Sequence, residues 1–398
     1  MIEKVQFRNF KAYRSLELEL EPFTVLVGPN ASGKTTLLEG LSLLIEISGD
    51  MLQGGLPSRW APPVQSYGSK APVELGIIGR WAGVEGLVKA VSEPEPMPSD
   101  EAVPPRLPFK LSGSWNGKPY WAGAWDRNVA KGEVQGKTDL YGEVERRSLE
   151  QLRAGLSATS ILRLEPGKLA EPSYSGEPVP YLHPDGEGLA SILAYLKLSQ
   201  DEVFNEIELT LKQVVPAVRR IRIERAPVER TAIRTIALDE QRHEVSEKRT
   251  LWGNRVVFDM RGAKGVVPTA AGEGTLMVLG LLTALLGPTR PRLVLLDDIE
   301  LSLHPAAQAR LIAALRAIQK RDPELQIVAT SHSPFILNYL DPKEVRMTFL
   351  AENGFARCEK LTAHPEFEKW KGLMAPGEFW SNVGEEWIGK LGGAAANE

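Results

Sequence analysis

The sequence contains few of the features that mark secreted or membrane proteins. It has one cysteine, Cys358, among 398 residues, so an internal disulfide cannot form and a reducing compartment is expected. The first ten residues carry charges and lack the apolar core of a signal peptide. The longest apolar stretch, residues 276–286, is too short to cross a bilayer. We therefore expect a cytoplasmic protein that makes no membrane contact.

Neither sign of charge dominates the chain. Lysine and arginine together number 47 and aspartate and glutamate 51, which gives a net charge of −4. Such a balance provides no global electrostatic reason to expect nucleic acid or an anionic membrane as partner. The hydrophobic and charged fractions, 43% and 25%, are those of an ordinary globular protein. The length allows one large domain or two to three lobes.

A phosphate-binding motif near the N-terminus is the strongest functional signal. Residues 28–35, Gly-Pro-Asn-Ala-Ser-Gly-Lys-Thr, match the pattern G-x-x-x-x-G-K-[ST] between a predicted strand, 23–27, and a predicted helix, 36–47. The glycines let successive amides point at phosphate oxygens, and the helix N-terminus adds positive potential. Lys34 would reach the β- and γ-phosphates of a nucleoside triphosphate and Thr35 would ligate Mg²⁺. The residues predicted to bind nucleotide are Asn30, Ala31, Ser32, Gly33, Lys34, Thr35 and Thr36.

Two acids that follow a later strand would complete the magnesium site. Residues 293–296 predict a buried strand, and Asp297 and Asp298 come directly after it. A carboxylate at the C-terminal edge of a parallel sheet lies beside bound phosphates. Asp297 would hold Mg²⁺, mostly through water, and Asp298 would orient the attacking water. The alternative is that both acids only cap the next helix.

A histidine follows the next predicted strand, residues 326–330. His332 belongs to the segment 330–334, Thr-Ser-His-Ser-Pro, where an imidazole can contact the γ-phosphate and report its presence. The alternative is a structural histidine with satisfied hydrogen bonds. The alternation of strands and helices from residue 269 onward predicts a parallel sheet covered by helices.

These motifs, in this order, resemble those of ABC-type ATPases of the family that contains SMC heads, RecF-like proteins and the ATPase domains of overcoming-lysogenisation-defect (OLD) proteins. The resemblance also rests on residues 7–11, 296–305 and 184–190, and covers nearly the whole chain. It implies an α/β fold, the ABC-ATPase head. Such a head is a P-loop NTPase with a mixed or parallel central sheet, an N-terminal antiparallel β lobe and a helical signature lobe.

Within one composite head we expect three segments. Residues 1–140 would hold the phosphate loop and a β lobe with a proline-rich insertion. Residues 141–262 would form a middle lobe of helices and strands, with a helix from Gly186 to Leu198 and strands at 161–164 and 220–224. Residues 263–398 would hold the signature motif, the paired acids and His332.

The resemblance further implies that ATP joins two heads as a homodimer. Each phosphate loop would meet the signature motif of the other subunit at a helix start, where glycines let amides approach the γ-phosphate. The alternative for this segment is a glycine-rich cap of a core helix. Gly272 stands where the family usually has serine and Asp298 where many members have glutamate, so we expect slow hydrolysis. The signature residues here are Gly272, Glu273, Gly274 and Thr275.

The expected function is a slow ATPase that gates a DNA-related or antiphage-defence activity through a separate effector protein. A competing hypothesis is an SMC/RecF-like repair ATPase that binds DNA directly through Arg219, Arg220 and Arg222, which lie in the densest basic stretch. Nearby acids dilute that stretch, and a solvated strand face is the simpler interpretation. A third hypothesis is a nucleotide-binding scaffold with negligible turnover. In that family a glutamine often links the phosphates to the lobe interface. Its identity in this chain is open, and Gln53 and Gln65 are candidates by position only.

Overall fold

The chain divides into two compact units. The first comprises Met1–Ile161, Pro291–Glu300 and Ile318–Glu398, and the second Leu162–Arg290 and Leu301–Ala317. In this computed structural model the described residues are 1–52, 65–66, 68–69, 71–92, 109–122, 140–142, 144, 146–238, 241–300 and 302–391.

A six-stranded mixed sheet forms the centre of the first unit. In spatial order its strands are β16 (Ala356–Lys360), β15 (Val345–Leu350), β3 (Phe23–Val27), β14 (Gln326–Ser331), β13 (Leu293–Leu296) and β9 (Thr159–Leu162). The pairs β15–β3, β3–β14 and β14–β13 are parallel, and β16 is antiparallel to β15. Strands β3, β13 and β14 are buried along their whole length, which explains the nearly continuous apolar sequences of β3 and β13. The strands predicted at these three places are confirmed. Strand β9 begins two residues earlier than the strand predicted at 161–164.

A seven-stranded antiparallel sheet forms the predicted N-terminal β lobe. In spatial order its strands are β2 (Tyr13–Glu19), β1 (Ile2–Phe10), β4 (Val73–Trp81), β5 (Val84–Ser92), β6 (Phe109–Trp115), β7 (Lys118–Ala122) and β8 (Leu140–Gly142). Val5 and Phe7 on β1 are buried and alternate with side chains that are half-buried or exposed, as in a sheet with one face on a core.

The two sheets of the first unit share a core around helix α1 (Lys34–Leu52). Leu37 and Leu41 of α1 are buried in one cluster with Phe7 of the antiparallel sheet and with Leu295 and Val328 of the mixed sheet. Because α1 starts inside the phosphate motif, this packing fixes the orientation of its N-terminus at the edge of the mixed sheet. The other helices of this unit are α2 (Arg146–Ser157), α8 (Pro334–Leu337), α9 (Phe367–Trp370), α10 (Pro376–Val383) and α11 (Glu386–Leu391).

The second unit combines helices with a long hairpin. Its helices are α3 (Pro166–Ala170), α4 (Leu189–Ser199), α5 (Asp201–Val214) and α6 (Glu273–Leu286), its strands are β10 (Val218–Leu238), β11 (Gln241–Met260) and β12 (Ala263–Val266), and α7 (Pro305–Arg321) spans the boundary of the two units. Helix α4 starts at Leu189 and not at Gly186 as predicted, because its N-cap Gly188 has φ 93° and cannot continue a right-handed helix.

The hairpin is much longer than the strand predicted at 220–224. Strands β10 and β11 pair in register from Arg220↔Asp259 to Leu238↔Gln241. Charged residues occupy both faces of β10 in the sequence, so the alternation typical of a half-buried strand is weak beyond residue 224.

No helix in the described part of the chain combines the length and the apolar sequence that a membrane span requires.

Candidate nucleotide site

The phosphate loop, residues 28–35, connects β3 to α1 and requires glycine at two positions. Gly28 has φ 152°, and a Cβ atom there would lie 2.3 Å from the carbonyl oxygen of Thr348. Gly33 has φ 99°, and its Cβ would lie 2.8 Å from Cβ of Ala356. Both neighbours belong to the β15–β16 hairpin, so the loop is packed closely against the adjacent strands.

Two side chains distant in the sequence brace this loop. The hydroxyl oxygens of Ser32 and Thr348 are 2.5 Å apart, and Thr348 also donates to the carbonyl of Val27 at 3.1 Å. Tyr13 donates its hydroxyl to the carbonyl of Gly33 at 3.2 Å. Complete burial raises the pKa of Tyr13 well above its ordinary value, so the phenol stays protonated as a donor. Neither Thr348 nor Tyr13 belongs to a recognisable sequence motif.

The loop's lysine is folded onto its own backbone. Lys34 Nζ donates to the carbonyls of Gly28 at 2.8 Å and Pro29 at 2.7 Å. Burial lowers the pKa of Lys34, and the nearby carboxylates of Asp298 and Asp297 oppose this effect. Of the other residues predicted to bind nucleotide, Ser32 and Gly33 are buried, Thr36 is half-buried, and Asn30, Ala31 and Thr35 are exposed.

Asp297 faces the phosphate loop across the sheet edge. Its two carboxylate oxygens are each 3.4 Å from Thr35 Oγ1. Thr330, at the end of β14, donates its hydroxyl to Asp297 Oδ1 at 2.6 Å and accepts the main-chain amide of Asp298 at 2.8 Å. The carbonyl of Thr330 also accepts the amide of Ile299 at 2.9 Å. One fully buried threonine thus fixes the turn that carries both acids.

The donor set here fits Mg²⁺. The Thr35 hydroxyl and the Asp297 carboxylate are hard oxygen ligands, and Mg²⁺ in nucleotide sites takes one or two carboxylates and completes its shell with phosphates and water. Among the described residues, no three His, Cys, Asp or Glu side chains cluster as a metal site. The nucleotide phosphates and water would therefore supply the other ligands of the metal.

Asp298 and His332 lie side by side at the same edge. His332 Nε2 is 3.7 Å from Asp298 Oδ1, and the two side chains are 41% and 61% exposed. Asp298 has φ 52°, a left-handed conformation that aspartate tolerates better than most residues. Partial burial raises the pKa of Asp298, and the negative charges of Glu300 and Asp297 add to this effect. Glu300, to which no sequence motif assigns a role, accepts the amide of His332 at 2.8 Å.

The predicted signature residues form an exposed helix start in the second unit. Gly272 caps α6 with φ 85°, and Gly272 and Glu273 are exposed. Thr275 is buried and donates its hydroxyl to the carbonyl of Ala271 at 2.9 Å. The first amides of any helix lack intrahelical acceptors, so this segment offers donors at the surface of its unit.

The arginines proposed for DNA contact lie in different environments. Arg219 and Arg220 are exposed, whereas Arg222 lies 3.4 Å from a carboxylate oxygen of Glu224 and 3.5 Å from one of Asp259. The basic surface is therefore smaller than the sequence indicates. Gln65 forms an isolated antiparallel bridge with Phe10, and the other candidate glutamine, Gln53, lies outside the described residues.

Two family models and several known proteins match parts of this chain. Residues 158–338 match the family model described as "AAA domain, putative AbiEii toxin, Type IV TA system", and residues 1–60 match the model "AAA ATPase domain". The OLD nuclease of Thermus scotoductus is 40% identical over 45 residues, 11% of this chain and 8% of that protein. The DNA double-strand break repair Rad50 ATPase of Methanopyrus kandleri is 48% identical over 46 residues, 11% of this chain and 5% of that protein. The matched segments are thus a small part of these relatives.

A solved structure matches most of the chain. An SMC head bound to the C-winged helix domain of ScpA has a TM-score of 0.52 at 13% identity, covering 90% of this chain and 97% of that chain. At this identity the likeness shows the fold alone. The fold and the phosphate loop define a P-loop ATPase head of the ABC type. The two family models and the short matches show that parts of this chain are similar to ATPases of the SMC/OLD type, as the motifs predicted.

Proposed function

We propose that this chain binds ATP with Mg²⁺ and hydrolyses it slowly. The observation that carries the proposal is the approach of Asp297 to Thr35, with both carboxylate oxygens 3.4 Å from the threonine hydroxyl. That approach unites the two halves of a magnesium–nucleotide site that are far apart in the sequence. The bound metal would neutralise phosphate charge in the transition state.

Each residue of the edge has a distinct role in this proposal. The amides of the phosphate loop and the Lys34 ammonium hold the β- and γ-phosphates, for which Nζ must leave the carbonyls of Gly28 and Pro29. Asp298 orients the attacking water and accepts its proton. His332, beside Asp298, contacts the γ-phosphate and reports whether it is present. Aspartate reaches less far than glutamate, which supports slow turnover.

We further propose that ATP drives a homodimer in which the exposed start of α6 from one subunit meets the phosphate loop of the other. The exposed Gly272 and Glu273 and the surface amides of the first helical turn support this arrangement. The dimer would gate a separate effector protein in a DNA-related or antiphage-defence process. The match to a model named for a toxin system and the similarity to an SMC head solved with a partner domain support such an effector by analogy.

Direct DNA binding is the second candidate. It is favoured by the exposed Arg219 and Arg220 and by the short similarity to a Rad50 repair ATPase. Arg222, which has two acidic neighbours, contributes little to it. The test is the dependence of DNA affinity on salt concentration. If this candidate is correct, Arg219→Ala and Arg220→Ala should each lower the salt slope by about one phosphate contact.

The test of the ATPase proposal is phosphate release with ATP and Mg²⁺ by the wild type and by Lys34→Ala. We expect the variant to lose both tight ATP binding and phosphate release, because it lacks a charge-assisted phosphate contact. Lys320→Ala, at an exposed position of α7, is the matched control and should behave as wild type. Unchanged ATP affinity in a folded Lys34→Ala protein would contradict the assignment.

A further inference from the structure

Glu300 has no role in the site as assigned so far, yet it belongs to the same turn as Asp297 and Asp298. Its Oε1 accepts the main-chain amide of His332 at 2.8 Å. Its Oε2 is buried and, among the described residues, has no hydrogen-bond partner. A buried carboxylate oxygen without a partner is costly. Stability alone therefore does not explain a glutamate at this position.

The contact joins two segments of the nucleotide edge. One is the turn after β13, residues 297–300, and the other is the loop after β14, residues 332–333. Thr330 joins the beginning of the turn to β14 through its hydroxyl and its carbonyl. Glu300 joins the end of the turn to the residue that carries the imidazole. The two connections therefore hold different residues. Thr330 holds the two acids, and Glu300 holds His332.

The geometry of His332 shows why its main chain matters. The distance from its Nε2 to Asp298 Oδ1, 3.7 Å, exceeds that of a hydrogen bond. Both side chains are also substantially exposed, at 41% and 61%, so packing restrains them weakly. The position of the imidazole relative to Asp298 must then be set largely by the backbone at His332. The Glu300 carboxylate is a hydrogen-bond acceptor on that backbone.

We propose that Glu300 is a positioning residue that holds the main chain of His332, and so keeps the imidazole beside Asp298 and the γ-phosphate. This inference rests on the proposed ATPase function. It predicts a loss in turnover and not in nucleotide affinity. Among the described residues no hydrogen bond or ion pair joins Glu300 to the phosphate loop, and its charge acts on Lys34 less than those of Asp298 and Asp297 do. It also predicts that glutamine can replace glutamate, since the side-chain oxygen of glutamine can occupy the same position and accept the His332 amide.

The first experiment compares Glu300→Ala with Glu300→Gln in the full chain. We expect Glu300→Ala to lower kcat about tenfold or more, the scale of one lost hydrogen bond to a charged group, with KM for ATP unchanged within about twofold. Glu300→Gln should stay within about threefold of wild type. Glu352→Ala, an exposed turn position, is the control. Wild-type kcat in Glu300→Ala, or an equal loss in Glu300→Gln, would overturn the proposal.

The second experiment asks whether Glu300 acts through His332. In a double-mutant cycle, Glu300→Ala should add less than about twofold to the loss already caused by His332→Ala. Additive losses would mean that Glu300 acts on another group and would overturn the proposal. Thermal unfolding of all variants identifies any effect that comes from a damaged fold.

A third readout does not depend on hydrolysis. Amide hydrogen exchange of a peptide covering residues 330–334, measured without nucleotide, should be faster in Glu300→Ala than in wild type and unchanged in Glu300→Gln. Equal exchange in all three proteins would overturn the tether itself. If exchange behaves as expected but the wild type releases no phosphate, the ATPase proposal fails and the role in turnover fails with it, while the tether stands.

Discussion

The chain presents two glycine-flanked helix starts, and they are built differently. The start of α1 is buried and braced, with Ser32, Gly33 and Lys34 all buried and with Thr348 and Tyr13 bonded to it. The start of α6 is exposed, and no atom of the described residues lies within 4 Å of a Cβ built on Gly272. A helix N-terminus attracts phosphate in either case. The difference supports the proposal that the first start holds a ligand within its own unit and that the second meets a partner subunit.

The largest expected effect concerns the chemistry assigned to the braced start. Asp298→Ala should lower kcat about a hundredfold or more while ATP binding persists, because it removes the group that orients and deprotonates water. Asp297→Ala should instead weaken Mg²⁺-dependent ATP binding, since it removes a metal ligand. Phosphate release and equilibrium ATP binding, measured with and without Mg²⁺, distinguish the two. Glu273→Ala, at the exposed start, should leave monomer ATP binding unchanged. Wild-type turnover in both aspartate variants would refute the roles.

A pair of alanine substitutions compares the two starts directly. Gly28→Ala adds a Cβ 2.3 Å from the Thr348 carbonyl oxygen, so we expect about 3 kcal/mol of lost stability from overpacking and backbone strain. Gly272→Ala meets no described residue within 4 Å, so its cost is the backbone strain of φ 85° and ψ 136°, about 1–2 kcal/mol. Thermal unfolding measures both. Equal losses would mean that the two starts are braced alike.

The smallest effect is a displaced pH profile. The pKa of Asp298 is raised by partial burial and by the charges of Glu300 and Asp297, and water activation needs its ionised form. As pH falls through this raised pKa, kcat should decline, so the acid limb should lie above the ordinary range of aspartate. A profile of kcat against pH checks this. An acid limb at or below an aspartate's usual pKa would contradict the environment described for Asp298.

Motifs that are contiguous in the sequence were predictable, and contacts between distant segments were not. The phosphate loop, the strand before Asp297 and the strand before His332 each lie in one short segment whose pattern has a direct physical meaning. The brace between Ser32 and Thr348 joins residues 316 positions apart, and threonine in a strand carries no sign of such a role. The same holds for Thr330, which was visible as part of a motif but not as the donor to Asp297.

The errors in secondary structure have local causes. Helix α4 starts after Gly188 because the positive φ of that glycine is incompatible with a right-handed helix. The apolar pattern from Leu189 onward did predict the helix. The strand predicted at 220–224 covers only part of the hairpin β10–β11, because charged residues interrupt the apolar positions beyond residue 224. A two-stranded ribbon with weak amphipathicity shows little of the alternation from which a strand is predicted. The pairing of its two strands depends on their register, which composition does not reveal.

The comparison of the two helix starts is tested most directly by light scattering of the full chain with ATP, with ADP and without nucleotide. The account predicts a dimer with ATP only, joined as one isologous pair, which Gly274→Trp abolishes by blocking the approach of the backbone amides while monomer ATP binding is retained. Asp298→Ala, which should slow hydrolysis, should prolong the dimer. A dimer equally stable without nucleotide, or one untouched by Gly274→Trp, would contradict the account and leave the start of α6 as a helix cap.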